Sequence, residues 1–153
     1  MDLKKKEARY QRIYTQLEKL MLTCSNEEAR MASIIAVLHH KMEYFFWTGF
    51  YMLVNHELIV SKYQGPVACM LLNKNTGVCW AAINQKQSIV VPDVHKFPGH
   101  IACDSRSNSE IVIPLKNRLG EIVGVLDVDS KDLGSFDEID RVYLEKILNL
   151  IYI

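Results

Sequence analysis

Four cysteines, Cys24, Cys69, Cys79 and Cys103, are the side chains of this sequence best suited to do chemistry. A thiol can be a nucleophile, a metal ligand or half of a disulfide, and its surroundings decide which. Cys103 lies in Gly99-His100-Ile101-Ala102-Cys103-Asp104, a polar, glycine-containing segment that favours an accessible thiol over a core one. Cys79 follows Gly77 near the expected start of a short helix, where backbone N–H groups and the helix dipole favour a thiolate. Cys69 closes the segment Tyr63-Gln64-Gly65-Pro66-Val67-Ala68-Cys69, and Cys24, alone at a helix end, reads as a small buried hydrophobe. Spacing leaves two alternatives open for the other three. They can be core residues, since cysteine is among the most buried types, or zinc ligands together with His95 or His100. The sequence has no C-x2-C pair, so no metal is expected.

These residues must be positioned by a scaffold whose periodicities are readable. Leu3, Ile13, Leu17, Leu20 and Met21 repeat at helical spacing among charged residues, and Ser25 with Glu28 resembles a capping box opening a second helix to about Glu43. From Phe46 the period changes to that of strands: Trp47 to Val54, a turn at Asn55-His56, then Leu58 to Tyr63. Val67 to Leu72 is expected to be a further strand, Val78 to Gln85 a short helix, and Ser88 to Val91 a strand stopped by Pro92. Pro92 to Ser109, which contains Cys103, is a long irregular loop of the kind that carries function. Strands at Ser109 to Leu115 and Ile122 to Asp129 flank a turn at Asn117 to Gly120, and Ser135 with Glu138 is expected to cap a last helix. Successive strands joined by short turns, between terminal helices, argue for an α+β arrangement with an antiparallel sheet. The apolar stripes of the terminal helices also offer a surface for a homodimer.

Composition bounds the rest. The chain has 153 residues, 49% hydrophobic and 24% charged, with 18 basic and 18 acidic side chains. It can bury a core, so it is not a disordered tail, and its length suits one domain over residues 1–153. Zero net charge gives no footprint for nucleic acid or an anionic membrane. The charged N-terminus has no signal-peptide core, which leads to the expectation of a cytoplasmic protein with reduced thiols.

Several blocks, taken in order, then carry a resemblance. Tyr63 to Cys69, Gly77-Val78-Cys79, Val91 to Asp104, Ser109-Glu110-Ile111-Val112-Ile113-Pro114-Leu115 and Gly124-Val125-Leu126-Asp127-Val128-Asp129-Ser130 resemble the free methionine-(R)-sulfoxide reductases, which are GAF-domain proteins. The resemblance implies a GAF fold, an antiparallel β-sheet flanked by N- and C-terminal helices, and reduction of free methionine-(R)-sulfoxide recycled by thioredoxin, with no cofactor. It makes Cys103 the nucleophile and Cys79 and Cys69 the thiols that can resolve it by disulfide formation. It places Glu110, Asp127 and Asp129 along the pocket, and Trp47 and Tyr51 around the methyl-thio end of the substrate. The family often has glycines where this chain has Asn75 and Trp80, and Trp80 adds bulk beside Cys79.

The residue types suit that reaction. A sulfoxide sulfur becomes open to thiolate attack once its oxygen is protonated or strongly hydrogen-bonded, so the site needs a thiolate, an acid and a second thiol. Asp127 and Asp129 alternate on a strand and therefore share a face. Like charges crowded there raise at least one pKa and keep a carboxylic acid protonated near neutral pH. Glu110 is favoured as the acid or oxygen binder, with the aspartates receiving the substrate ammonium. His95 and His100 are expected to order the loop by hydrogen bonds. The competing reading is a GAF-type small-molecule or redox sensor that uses the same pocket without turnover.

Overall fold

The computed structural model describes residues 1–100 and 103–153; Ile101 and Ala102 of the Cys103 motif lie outside the described residues. Helix α1 (Leu3–Met21) starts where the Asp2 carboxylate accepts from the N–H groups of Lys4 and Lys5, and its stripe of Tyr10, Ile13, Leu17 and Met21 is buried. Helix α2 (Glu27–Lys41) is capped by Asn26, which accepts from the Ala29 N–H at 2.9 Å, so the expected Ser25 box gives way to its neighbour. Strands β1 (Trp47–Val54) and β2 (Glu57–Gln64) form a hairpin. Asn55 and His56 both take positive φ (51° and 66°), the turn geometry whose twist matches that of the strands it joins. Helix α3 (Gly77–Gln85), strand β3 (Ile89–Val91), a single 3-10 turn at Val94–Lys96 and strands β4 (Ser109–Lys116) and β5 (Ile122–Ser130) follow. Helix α4 (Glu138–Asn149) ends the fold with a 3-10 turn at Leu150–Tyr152. Its cap is a reciprocal box between Asp137 and Asp140, not the Ser135 and Glu138 pair the sequence suggested.

The expected strand over Val67–Leu72 does not form. Leu71 makes an isolated bridge to Ile59, and the apolar content of this segment belongs to a loop tied to β2 only at Met70 to Leu72. The five-stranded sheet has the order β2-β1-β5-β4-β3 and is antiparallel throughout.

Alternation along the strands builds two layers. One face carries Phe50, Ile111, Ile113, Leu115, Leu126 and Val128 into a core closed by α1, α2 and α4. The other carries Trp47, Tyr51, Val112 and Val125 against α3, which contributes Val78, Cys79, Trp80 and Ala82. The terminal helices pack Tyr10, Ile13, Leu17, Leu144 and Ile147 into this core, while Leu3, Leu20 and Val142 remain exposed. No described helix is long and apolar enough to cross a membrane.

A buried polar cluster ties the two ends of the fold. Asp140, with no exposed surface, accepts from Lys6 Nζ at 2.7 Å and from the hydroxyls of Tyr10 at 2.7 Å and Tyr44 at 2.5 Å. Lys6 also donates to Asp137 and to the Ser135 carbonyl, so α1 holds the segment leaving β5. Asp140→Ala leaves two hydroxyls without their acceptor and the buried Lys6 ammonium with Asp137 as its remaining carboxylate. Its expected cost is about 3–5 kcal/mol, or roughly 10 °C in Tm for a chain of this size, to be read from thermal and urea unfolding. Arg30 performs a similar task at the other end of the bundle, donating to the carbonyls of Met21, Cys24, Ile151 and Ile153. Cys24 itself is exposed in the turn between α1 and α2, contrary to the expected buried position, because only its carbonyl is engaged.

Candidate active site

Cross-strand register assembles the site. Glu110 on β4 lies opposite Asp129 on β5, and Asp129 lies opposite Trp47 on β1, so these three form a row on one face. The next row on that face holds Val112, Asp127 and Gly49, and Tyr51 pairs with Val125 in the row beyond. Gly49 is needed there: a Cβ at this position would sit 2.6 Å from Trp47 Cη2. Trp47 is buried with its ring stacked on Tyr51 (centroids 5.7 Å apart) and on Tyr63 (5.1 Å), and its indole N–H donates to the Pro66 carbonyl at 3.1 Å. Gly65, at φ +126°, lets the chain pass close over this ring: a Cβ would be 2.9 Å from Trp47 Cδ1.

The loop so directed brings Cys69 to Cys103. Their sulfurs are bonded, with Cα atoms 5.6 Å apart, whereas Cys79 is free and buried on α3. The hydroxyl of Tyr51 donates to the Cys69 carbonyl at 2.8 Å and fixes the backbone on the Cys69 side of the bridge. Cys103 is exposed and Cys69 half-buried. Bonded to each other, these two sulfurs are not free to join Cys79 in the zinc site weighed above. The compact donor set that does exist is Cys79, Glu110 and Asp127, whose ligand atoms all lie within 4.8 Å of one another.

A cavity of about 130 Å³ lies between the sheet and these loops, lined by Trp47, Tyr51, Cys69, Cys79, Cys103, Glu110, Asp127 and Asp129 among others. Every sequence-nominated site residue therefore faces one space. His100 is the sole basic side chain among the described lining residues, and burial, then the nearby His95, lowers its pKa. Its Nε2 is buried with no partner among the described residues. His95 is hydrogen-bonded within the loop, to Asp93 at 2.9 Å.

The described lining has no Lys or Arg to offset its acids. Burial, reinforced by Asp127 and Asp129, raises Glu110 well above the usual carboxylate range; burial, then Asp127 and Asp104, raises Asp129, and burial raises Asp127. Asp127 Oδ1 is buried without a partner among the described residues.

The same environment corrects the expectation of a Cys79 thiolate. The helix N-terminus contributes only about 0.3–1 kcal/mol, whereas complete burial and then Asp127, Glu110 and Asp129 push the Cys79 thiol well above its ordinary value. Cys79 is a protonated thiol.

Phe46 was not nominated from the sequence, but it lines the cavity with Arg106 and Lys131 over its ring at 4.9 and 4.8 Å. Arg106 also grips Asp104 at 2.7 Å, and these bonds hold the Asp104 carboxyl at about 2.

The arrangement offers a disulfide-bonded cysteine pair at a pocket lined by acids whose pKa values burial raises and by aromatic rings. Comparisons with known proteins agree with that chemistry. A family model described as GAF domain matches residues 28–153. "GAF domain-containing protein A" of Dictyostelium discoideum is 48% identical over 147 residues, covering 95% of this chain and 92% of that protein. The free methionine-R-sulfoxide reductase of Escherichia coli is 40% identical over 120 residues, covering 78% of this chain and 72% of that one. The crystal structure of free methionine-R-sulfoxide reductase from Neisseria meningitidis in complex with its substrate superposes with a TM-score of 0.90 at 38% identity, over 99% of this chain and 89% of that chain. The chain belongs to the GAF domain family and, within it, to the free methionine-R-sulfoxide reductases.

Proposed function

We propose that this protein reduces free methionine-(R)-sulfoxide to methionine, with Cys103 as nucleophile, Cys69 as resolving thiol and thioredoxin as the reductant in the cytoplasm. The observation that carries this reading is the Cys69–Cys103 disulfide beside Glu110 and Asp129, whose pKa values burial raises. The Cys103 thiolate attacks the sulfoxide sulfur while a carboxylic acid protonates the oxygen, and Glu110 is the favoured donor. Methionine leaves and Cys103 becomes a sulfenic acid. The Cys69 thiol condenses with it, releasing water and forming the disulfide. A thioredoxin dithiol restores both thiols by exchange. The balance is one sulfoxide and two thiols to one thioether, one disulfide and one water.

Trp47 and Tyr51 supply the apolar wall for the methyl-thio end, and the aspartates suit the substrate ammonium. Sulfenic acid formed on Cys103 meets Cys69 sooner than Cys79, because Cys79 is buried on α3 with Trp80, also buried, as its chain neighbour. Cys69→Ser is therefore expected to release about one methionine per chain and then stall, with thioredoxin-supported turnover down by about tenfold or more, measured by quantifying methionine with and without reductant. NADPH oxidation coupled through thioredoxin reductase and thioredoxin tests the activity itself. Turnover is expected with free methionine-(R)-sulfoxide and not with the S epimer or a peptide-bound sulfoxide, and an R-epimer rate at background would reject the activity.

A further inference from the structure

The loop that delivers Cys69 also carries an uncovered apolar strip. Val67 is 85% exposed, Met70 75% and Leu71 52%, within a run from Val67 to Asn73 that has no charged residue. Isolated apolar residues on a surface need no explanation, but three within five positions do. The strip is held in place: Val60 donates to the Met70 carbonyl at 2.8 Å, Leu72 donates to the Leu58 carbonyl at 3.1 Å, and Ala68 and Leu72 pack inward. Val67 and Leu71 also line the cavity while Met70 lies outside its lining, so the strip is continuous with the cavity on either side of Cys69.

What sits in the middle of the strip identifies its occupant. A disulfide has one characteristic reactant, a thiolate, and the bridge at this strip ends the catalytic cycle proposed above. A protein dithiol must place its sulfur in line with the bridge, and an apolar contact next to the reacting sulfurs excludes water from that approach. Access differs between the two ends, since Cys103 is exposed and Cys69 half-buried with its carbonyl tied to Tyr51. We propose that Val67, Met70 and Leu71 form the docking surface for the dithiol protein that regenerates the enzyme, and that its thiolate attacks Cys103 Sγ with Cys69 Sγ as leaving group. The first exchange breaks the Cys69–Cys103 bond, forms a mixed disulfide between the partner and Cys103, and leaves Cys69 as a thiolate that takes up a proton. The partner's second thiol then attacks its own sulfur in that mixed disulfide, frees Cys103 and departs oxidised. The inference rests on the reductase function proposed above.

Met70→Glu tests it, because Met70 lies outside the cavity lining while its charge would fall on the docking face. Turnover is measured with thioredoxin and, separately, with dithiothreitol, which needs no docking surface. The expected result is a KM for thioredoxin raised at least about tenfold with dithiothreitol-driven turnover unchanged. Leu119→Glu, at an equally exposed apolar residue (83%) in the β4–β5 turn, is expected to alter neither. An unchanged thioredoxin KM in Met70→Glu overturns the docking surface, as does a wild-type dimer in sedimentation that Met70→Glu converts to monomer, since a second copy would then be the occupant. A thioredoxin whose second cysteine is serine should be trapped on Cys103; trapping on Cys69 overturns the assigned direction of attack. Absence of dithiothreitol-driven turnover in the wild type would instead reject the reductase function.

Discussion

Cys103→Ser is expected to release no methionine, even in a single turnover, with a rate loss of at least about 10³-fold. Three thiols line the pocket, and their environments separate them. Cys79 is buried beside three carboxyl groups that disfavour its thiolate, so it lacks the nucleophilic form. Cys69 is half-buried and its backbone is held by Tyr51, a restraint suited to a thiol that waits for its partner. Cys103 is the exposed member of the bonded pair, in the loop that leads through Ser107 to Glu110. Serine there is nearly isosteric but has too high a pKa to supply an anionic nucleophile. The measurement is methionine released from substrate in excess over the reduced variant, compared with Cys79→Ser, which is expected to retain the single turnover. Methionine release by Cys103→Ser at the wild-type level would move the nucleophile elsewhere.

Glu110→Gln is expected to lower kcat by about 10²–10⁴-fold, the usual contribution of a positioned general acid. The amide keeps the shape and can still hydrogen-bond the sulfoxide oxygen, but it has no proton to give. The sign of the pH dependence follows from the raised pKa. The protonated carboxyl predominates below its folded value, so its contribution to wild-type kcat is lost as pH rises through that value, while protonation of the Cys103 thiolate lowers the rate on the acid side. In Glu110→Gln this alkaline decline should disappear from the residual rate. If the decline persists unchanged, the donor is Asp127 or Asp129, whose pKa values burial also raises.

Stability shares the same sign. An unfolded glutamate loses its proton near pH 4.3, so the native state binds more protons than the unfolded chain above that pH, and ionising the buried cluster costs stability as pH rises.

Much of this site was legible because its carboxylates obey strand alternation. Asp127 and Asp129 share a face for a reason visible in the sequence, and the structure adds that Glu110 joins them by lying opposite Asp129. What escaped was decided by partners distant in sequence. The Val67–Leu72 segment has the composition of a strand, but Val67, Met70 and Leu71 are exposed, and its contact with β2 amounts to one bridge to Ile59 as the segment leads to the Cys69–Cys103 bond. Ser25 and Ser135 looked like helix caps, yet Asn26 and Asp137 lie nearby and win by geometry that local sequence does not encode. Cys79 has the local sequence of an activated thiol, and only the fold reveals the acids packed against it. The bonds from Trp47 to Pro66 and from Tyr51 to Cys69, which hold the redox loop, had no sequence signal beyond the aromatic residues themselves.

The most direct test of the central claim is a single turnover without external reductant. The fully reduced chain is mixed with excess free methionine-(R)-sulfoxide, released methionine is counted, and the alkylated protein is digested to locate its disulfide. The expected result is about one methionine per chain with a linked peptide joining Cys69 to Cys103. No methionine, or a disulfide that uses Cys79 in place of Cys69, would contradict it.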